Sequence, residues 1–226
     1  MVEIKAKDEA LIELEAFSHT VAHDLKNPLS AMITLAGELR STGAEPELVN
    51  PLLEAGQQCY RIIDDILVLS SVRGEQVTPV RVDMLACLSE VLTTLRWLFH
   101  EHGVTLDVPE SLPPALGRHN WVAQIWMNFL TNAVRYGGRP PRIRIGSYSG
   151  DGWIRYWVED NGPGIPEPER ERIFAPFKRL DDLSLTGSGL GLSIVRRILE
   201  RLEGDFGVTA GEGGGARFHF QLPAAR

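Results

Sequence analysis

Two apolar stripes of helical period fill the first third of the chain, and nothing in that segment is available to cover them. Leu11, Leu14, Val21, Leu25, Met32, Ala36 and Leu39 recur at three-, four- or seven-residue spacing, with Phe17 or Ser18 filling the gap. That is one stripe on one long helix. Ser41-Thr42-Gly43-Ala44 breaks it. A second helix is expected to begin near Pro46 or at Asn50-Pro51, an N-cap followed by a first-turn proline. Its stripe is Leu52, Cys59, Ile62, Ile63, Ile66 and Leu69, and it runs out by Arg73-Gly74. Two long helices joined by a short loop make an antiparallel hairpin. Pairing two copies through residues 8–73 would bury the seams as a four-helix bundle, so the stripe alone predicts a homodimer.

The remainder changes character. Residues 75–82 read as a linker into a short strand. A helix is expected at about 84–101, a strand near 104–108, a proline-rich turn at 111–115 and a helix at about 119–136. Ile143, Ile145 and Ser147 alternate, Ser149-Gly150-Asp151-Gly152 turns, and Ile154, Tyr156 and Val158 alternate again, as in a β-hairpin. A glycine-rich segment at 187–191 opens an amphipathic helix to about 202. Strands at 206–209 and 217–222 flank the loop Gly211-Glu212-Gly213-Gly214-Gly215. This order suggests a two-layer α/β sandwich. The boundaries are therefore 1–74 for the hairpin, 75–82 for the linker and 83–226 for the sandwich.

Composition excludes several classes. The 226 residues are 43% hydrophobic and 23% charged, which suits a chain able to bury a core. A net charge of −7 argues against a nucleic-acid coat. No apolar run of about 18 residues marks a membrane span. The two cysteines, Cys59 and Cys87, lie outside any CxxC or Cys/His cluster and read as reduced, buried thiols of a cytoplasmic protein.

Four clusters carry candidate chemistry. His23 is two residues from Val21 and from Leu25, about 200° around the helix from each, so it projects away from the seam. Asp24 adjoins it, Asn27 follows one turn on, and Pro28 bends or loosens the helix there. An imidazole is partly unprotonated at neutral pH and is a competent nucleophile when a carboxylate holds its other N–H. Taken alone, the pair reads more readily as a surface histidine beside a surface acid, a common pairing. In the second cluster, Asn128, Asn132 and Arg135 share a helix face, with Tyr136 adjoining. Amide oxygens suit Mg²⁺, which takes few protein ligands; the bland alternative is a polar helix face. In the third, Asp160 ends a strand, where it can accept a hydrogen bond from an exocyclic amine. Gly162 and Gly164 then let backbone approach a flat ring, or simply make a turn. In the fourth, Gly187, Gly189 and Gly191 precede a helix start, where backbone N–H groups attract phosphate. No GK[ST] follows, so it is no Walker A loop. Between the last two, Ile173–Leu180 and a short polar loop look like a hinged lid.

Together, in this order, the clusters resemble the boxes of sensor histidine kinases from about residue 8 to 222. Phe17–Leu29 looks like the H box, Asn128–Tyr136 the N box, 158–166 the G1 box, 173–180 the F box and 187–191 the G2 box. The resemblance implies a helical hairpin dimer followed by a Bergerat (GHKL) ATP-binding sandwich with a mixed sheet. It implies that His23 accepts the γ-phosphoryl of ATP and passes it to an aspartate of a response-regulator receiver domain. Asp24, glutamate in many members, would assist; Asn132 would ligate Mg²⁺, Asn128 support it, Arg135 face the phosphates and Tyr136 pack on the nucleotide. Asp160 would read adenine, and Gly162, Gly164, Gly187, Gly189 and Gly191 would shape pocket and lid. Asn27 either orients a water for phospho-aspartate hydrolysis or braces the Pro28 bend. The stretch between Arg179 and Gly187 is shorter than in many members. Lys178 and Arg179 are either phosphate-facing cations in compensation or a solvated pair.

Three rivals fit less well. An ATPase clamp with the same pocket lacks a histidine box on a hairpin. A non-enzymatic scaffold has no need of Asn132, Asp160 and all the glycines together. A serine kinase with this pocket has no use for the sequence His23-Asp24 followed by Asn27-Pro28. The signal, the cognate receiver, the subunit that phosphorylates His23, and whether the parent protein is membrane-bound or soluble are not written in these residues.

Overall fold

In a computed structural model of the protein, the described residues are 78–175 and 190–225, with 25–26, 29–43, 45, 47, 49–53, 55–56, 59 and 63 of the hairpin. They fall into two compact units, one within residues 25–63 and one comprising 78–175 with 191–225.

In the first unit the chain is helical over residues 29–41, turns at Thr42-Gly43, and is helical again by Glu47. Gly43 takes φ +87°, the left-handed conformation that a helix C-terminus favours. Val49 N–H already donates to the Glu45 carbonyl at 3.2 Å, so the helix begins before Asn50-Pro51 and the cap expected there is not its start. The two helices meet through Ala36, Val49 and Leu53, with Ile33 against them. A side chain at Gly56 would meet Ile33 Cγ1 at 2.8 Å, so the glycine permits that close approach. This contact uses only part of the stripe. Leu25, Met32, Leu35, Leu39 and Leu52 stay about half exposed. Cys59 is exposed too, against the expectation of a buried thiol, because the stripe is wider than one helix can cover.

The second unit is a layer of helices on one face of a sheet. Strand β1 (Val80–Val82) pairs antiparallel with β3 (Ala115–Gly117), a short strand that begins at the last residue of the expected proline-rich turn and was not itself expected. Helix α1 (Met84–Glu101) is capped by Asp83, whose side chain accepts from Ala86 N–H at 2.9 Å. It buries Met84, Cys87, Leu88, Val91 and Leu95 at helical spacing. Burial, with the charges of Glu90 and Asp83 adding, pushes the Cys87 thiol up to about 12, so Cys87 is inert.

Strand β2 (Thr105–Asp107) and helix α2 (His119–Tyr136) are followed by the hairpin of β4 (Arg142–Gly150) and β5 (Trp153–Asp160). The turn is only Asp151-Gly152, tighter than expected, with Gly152 at φ +81°. Helix α3 (Gly191–Arg201) and strands β6 (Asp205–Ala210) and β7 (Ala216–Pro223) complete the unit. The sheet runs β2-β4-β5-β7-β6. The β2–β4 pair is parallel and the others antiparallel, so it is mixed, as expected.

Alternation along β5 sets its two faces. Ile154, Tyr156 and Val158 face the helices with Phe218, Phe220 and Leu222 of β7, whereas Trp157 and Glu159 lie on the opposite face. Trp126 of α2 meets Phe220 edge-on at 4.9 Å, and Phe129 sits 5.4 Å from Phe218. Tyr156 carries its hydroxyl into this core, donating to the Pro113 carbonyl at 2.6 Å, and its pKa is driven up by burial. Among the described residues, no helix is long and apolar enough to cross a membrane.

Phe129 is wholly buried between the helix layer and β7. Phe129→Ala is expected to lower unfolding free energy by about 3–5 kcal/mol, measured by denaturant unfolding with tryptophan fluorescence. A loss under about 1 kcal/mol would mean that this packing is not the core of the unit.

Candidate functional site

The end of β5 brings Asp160 beside the end of α2 and the β6–β7 loop. Asp160 is 7% exposed. One of its oxygens, Oδ1, accepts from Gly162 N–H at 2.8 Å and from Ala216 N–H at 3.1 Å. The register explains the second bond: Glu159 pairs with Arg217, which brings Ala216 next to Asp160. Oδ2 takes no hydrogen bond among the described residues, so it can accept one from a ligand's amine. Burial raises the pKa of Asp160 above the ordinary carboxylate range. The Gly162 and Ala216 donors oppose that, and the neighbouring Glu159 charge adds to it.

The backbone around Asp160 has no room for side chains at the glycines. A β-carbon at Gly162 would run into the Tyr136 carbonyl, and one at Gly215 into the Asp160 carbonyl. Gly164 takes φ +74° and faces the Gly214 carbonyl, where a β-carbon would come within 2.7 Å. Asn161, to which no role was given from sequence, ties the far side of the site. Its Oδ1 accepts from Gly138 N–H at 3.1 Å and Arg142 N–H at 2.7 Å, while its Nδ2 donates to the Pro140 carbonyl at 3.2 Å. One side chain thus fastens the turn after α2 to the end of β5.

Helix α2 supplies the polar face. Asn132 is half-buried and makes no side-chain hydrogen bond among the described residues, so its amide oxygen is free to take a cation or ligand. Asn128 is engaged: its Nδ2 donates to the Gln124 carbonyl at 2.9 Å. Its Oδ1 occupies the space where a side chain at Gly191 would have to go, so Gly191 lets the start of α3 close against α2. Arg135 and Tyr136 are exposed, with the guanidinium 6.0 Å from the ring centre. Ile125, Phe129 and Val134 pack into the core on the other side of the helix.

Of the residues singled out from sequence, Asn128, Asn132, Arg135, Tyr136, Asp160, Gly162, Gly164 and Gly191 lie in this unit. His23, Asp24, Asn27, Lys178, Arg179, Gly187 and Gly189 lie outside the described residues. The sequence reading missed the Gly215–Ala216 backbone that holds Asp160. Its signal was the run Gly211–Gly215 without side chains beyond Glu212, noted only as a loop.

Comparison with known proteins places relatives over both parts of the chain. Residues 13–75 match the family model described as the His Kinase A (phospho-acceptor) domain. Residues 117–226 match the histidine kinase-, DNA gyrase B-, and HSP90-like ATPase model. The adaptive-response sensory kinase SasA of Prochlorococcus marinus is 31% identical over 92% of this chain. The sensor histidine kinase AruS of Pseudomonas aeruginosa is 30% identical over 98% of it. The chain spans 57% of the first relative and 24% of the second. Among solved structures, full-length ShkA in complex with AMPPNP superposes with a TM-score of 0.73 at 29% identity, covering 93% of this chain and 46% of that one. The mycobacterial sensor histidine kinase MprB gives 0.58 at 28%, over 65% of this chain and 98% of that one.

The raised pKa of Asp160 has a direct consequence for stability. The folded chain takes up this proton at higher pH than the unfolded chain, whose aspartate titrates near about 3.9. As pH falls from neutral through the raised pKa, wild type therefore gains stability relative to Asp160→Asn, and the gain levels off below the unfolded value. Denaturation midpoints of both proteins from pH 7.5 to 4.5 check this. A constant difference, or one of opposite sign, would mean that burial does not control this carboxyl.

Proposed function

The chain belongs to the sensor histidine kinases, carrying the phospho-acceptor and ATPase modules of their catalytic core, and from that premise we propose that it transfers the γ-phosphoryl of ATP to His23 and thence to an aspartate of a receiver domain. The observation that carries the reading is Asp160: a buried carboxylate with one oxygen held by two backbone donors and the other open beside the Asn132 face. The exocyclic amine of adenine donates to Oδ2. A base with a carbonyl at that position would present an acceptor to an acceptor, so the site selects ATP. Gly162 and Gly164 leave room for the flat base.

Asn132 is the residue suited to Mg²⁺, since its uncommitted amide oxygen is a hard, neutral ligand of the kind this ion takes beside phosphates. When bound, Mg²⁺ would neutralise charge on the transferring group. Arg135 offers an exposed cation on the same helix face, and Tyr136 an exposed ring for the nucleotide. By the family resemblance, Gly187 and Gly189 are assigned to the lid, and Lys178 and Arg179 to the phosphates.

His23 attacks the γ-phosphorus through a ring nitrogen. The bond to the β–γ bridging oxygen breaks, and ADP leaves with the electron pair. Asp24 holds the other ring N–H and stabilises the charge that develops. Positioning and charge neutralisation, rather than covalent help, account for the rate. The phosphoryl group next passes to the receiver aspartate, and Asn27 orients a water that hydrolyses the phospho-aspartate, releasing inorganic phosphate. The exposed Leu25, Met32, Leu35, Leu39 and Leu52 favour a second copy of the hairpin as the cover for the seam, giving a homodimer that works in the cytoplasm.

Incubation with Mg²⁺ and γ-labelled ATP is expected to give a label that is lost in acid and survives base, and that is absent from His23→Gln. An acid-stable label persisting in the variant would mean a hydroxyl acceptor and would refute the assignment. The double variant Met32→Glu, Leu39→Glu is expected to sediment as a folded monomer; a dimer of unchanged strength would place the interface elsewhere.

A further inference from the structure

Asp160 reads its ligand only if Oδ1 stays fixed, and one of its two backbone donors, Ala216 N–H, comes from the neighbouring strand β7 at the residue where a loop ends. That loop, Gly211–Gly215, straddles the end of β5. Glu159 and Asp160 are consecutive, so their side chains leave the strand on opposite faces. The loop and the residue that ends it engage both: Glu212 N–H donates to Glu159 Oε2 at 3.3 Å on one side, and Ala216 N–H, at the start of β7, donates to Asp160 Oδ1 at 3.1 Å on the other. Gly211 N–H closes the loop on the Gly215 carbonyl at 2.8 Å.

Glu159 is itself buried, at 4% exposure. A buried carboxylate persists only when its partners are well placed. Arg217 donates to its Oε2 at 2.6 Å through Nε, and Arg144 Nη1 lies 3.7 Å from Oε1. Both arginines also reach the exposed Glu212 carboxylate, each at 3.1 Å. Those bonds, from Arg217 first and then Arg144, hold Glu212 below the usual carboxylate range. The Arg217 guanidinium lies 4.6 Å from the Trp157 ring centre, and its Nη1 donates to Tyr148 Oη at 3.1 Å. The network is anchored on the face of the sheet away from the helices, and its other end is the donor at Asp160.

We infer that Glu159, Arg217 and Glu212 form a positioning network that holds the β6–β7 loop over the end of β5, and so aims Asp160 at the amine of the base. This rests on the reading of Asp160 as the adenine acceptor. It distinguishes two functions in adjacent carboxylates: Asp160 touches the ligand, and Glu159 fixes the backbone that orients Asp160. A loosened loop would let Asp160 rotate, costing the amine-specific part of the affinity and leaving the phosphate part intact.

The test compares Mg²⁺-dependent binding of ATP and inosine 5′-triphosphate, which carries a carbonyl in place of the amine, by calorimetry on the full chain. Wild type is expected to prefer ATP, and Asp160→Asn to lose the preference. Glu159→Gln and Arg217→Gln are expected to cut the preference by about fivefold to tenfold, the worth of one well-aimed hydrogen bond, while inosine triphosphate binds as before. Glu212→Gln, an exposed substitution that leaves the buried pair intact, is expected to cut it by a smaller factor if the buried variants do not fold. If Asp160→Asn loses the preference while folded Glu159→Gln and Glu212→Gln keep it whole, the positioning network is refuted and the adenine reading stands. If the network variants weaken both nucleotides equally, their role is structural only, which also refutes it. A preference retained in Asp160→Asn removes the adenine reading and the inference together.

Discussion

Two backbone N–H groups converge on one oxygen of a buried carboxylate, and much of the second unit is arranged so that they can. Gly162 donates from the turn that follows β5, and Ala216 from the first residue of β7. The Gly162 bond is local to its turn, but the Ala216 bond forms only when β5 and β7 are in register, and the register depends on which residues face the helices. Shifting β7 by one residue would turn Phe218 and Phe220 out of the core and His219 into it. The aromatic packing of Trp126 and Phe129 against β7 therefore fixes the geometry of a polar contact at the strand end.

The same oxygen explains the glycines. Backbone has to pass close to Asp160 on two sides, and β-carbons at Gly162 and Gly215 would collide with carbonyls already there. Gly191 serves a different need, bringing the start of α3 against Asn128. These glycines keep the surroundings of Asp160 and Asn128 made of closely packed backbone. Asp160 Oδ2 and the Asn132 amide take no hydrogen bond among the described residues, so a ligand there would displace no side-chain partner. The cost of holding Asp160 buried is offset in part by its two donors, and its pKa still lies high.

Much of this was legible in the residues. Helices α1, α2 and α3 lie close to where they were expected, and the β4–β5 hairpin follows from its alternation, with Gly152 in the turn. Strand β3 was not, because three residues after a proline run carry no alternation and pair with an equally short β1. The hairpin stripe shows how much apolar surface exists but not how it is divided. Ala36 meets the neighbouring helix, while Met32 and Leu39 one turn away stay open. Asn50-Pro51 is a valid helix start locally, yet the chain becomes helical earlier because Glu45 already accepts from Val49. Asn128, Asn132 and Asp160 were readable from type and spacing. The Ala216 donor lies 56 residues from Asp160, and only the strand pairing reveals it.

The central claim is that Asp160 is a buried carboxylate held ready for an amine donor. Carboxyl carbon NMR of selectively labelled aspartate, assigned with Asp160→Asn, measures this directly. Its titration midpoint in the free chain should lie above the ordinary aspartate range. A non-hydrolysable ATP analogue should lower it, because a donor on Oδ2 favours the charged form. An inosine triphosphate analogue should not lower it. A midpoint that ATP analogue leaves unmoved, or that both nucleotides move alike, would contradict the account.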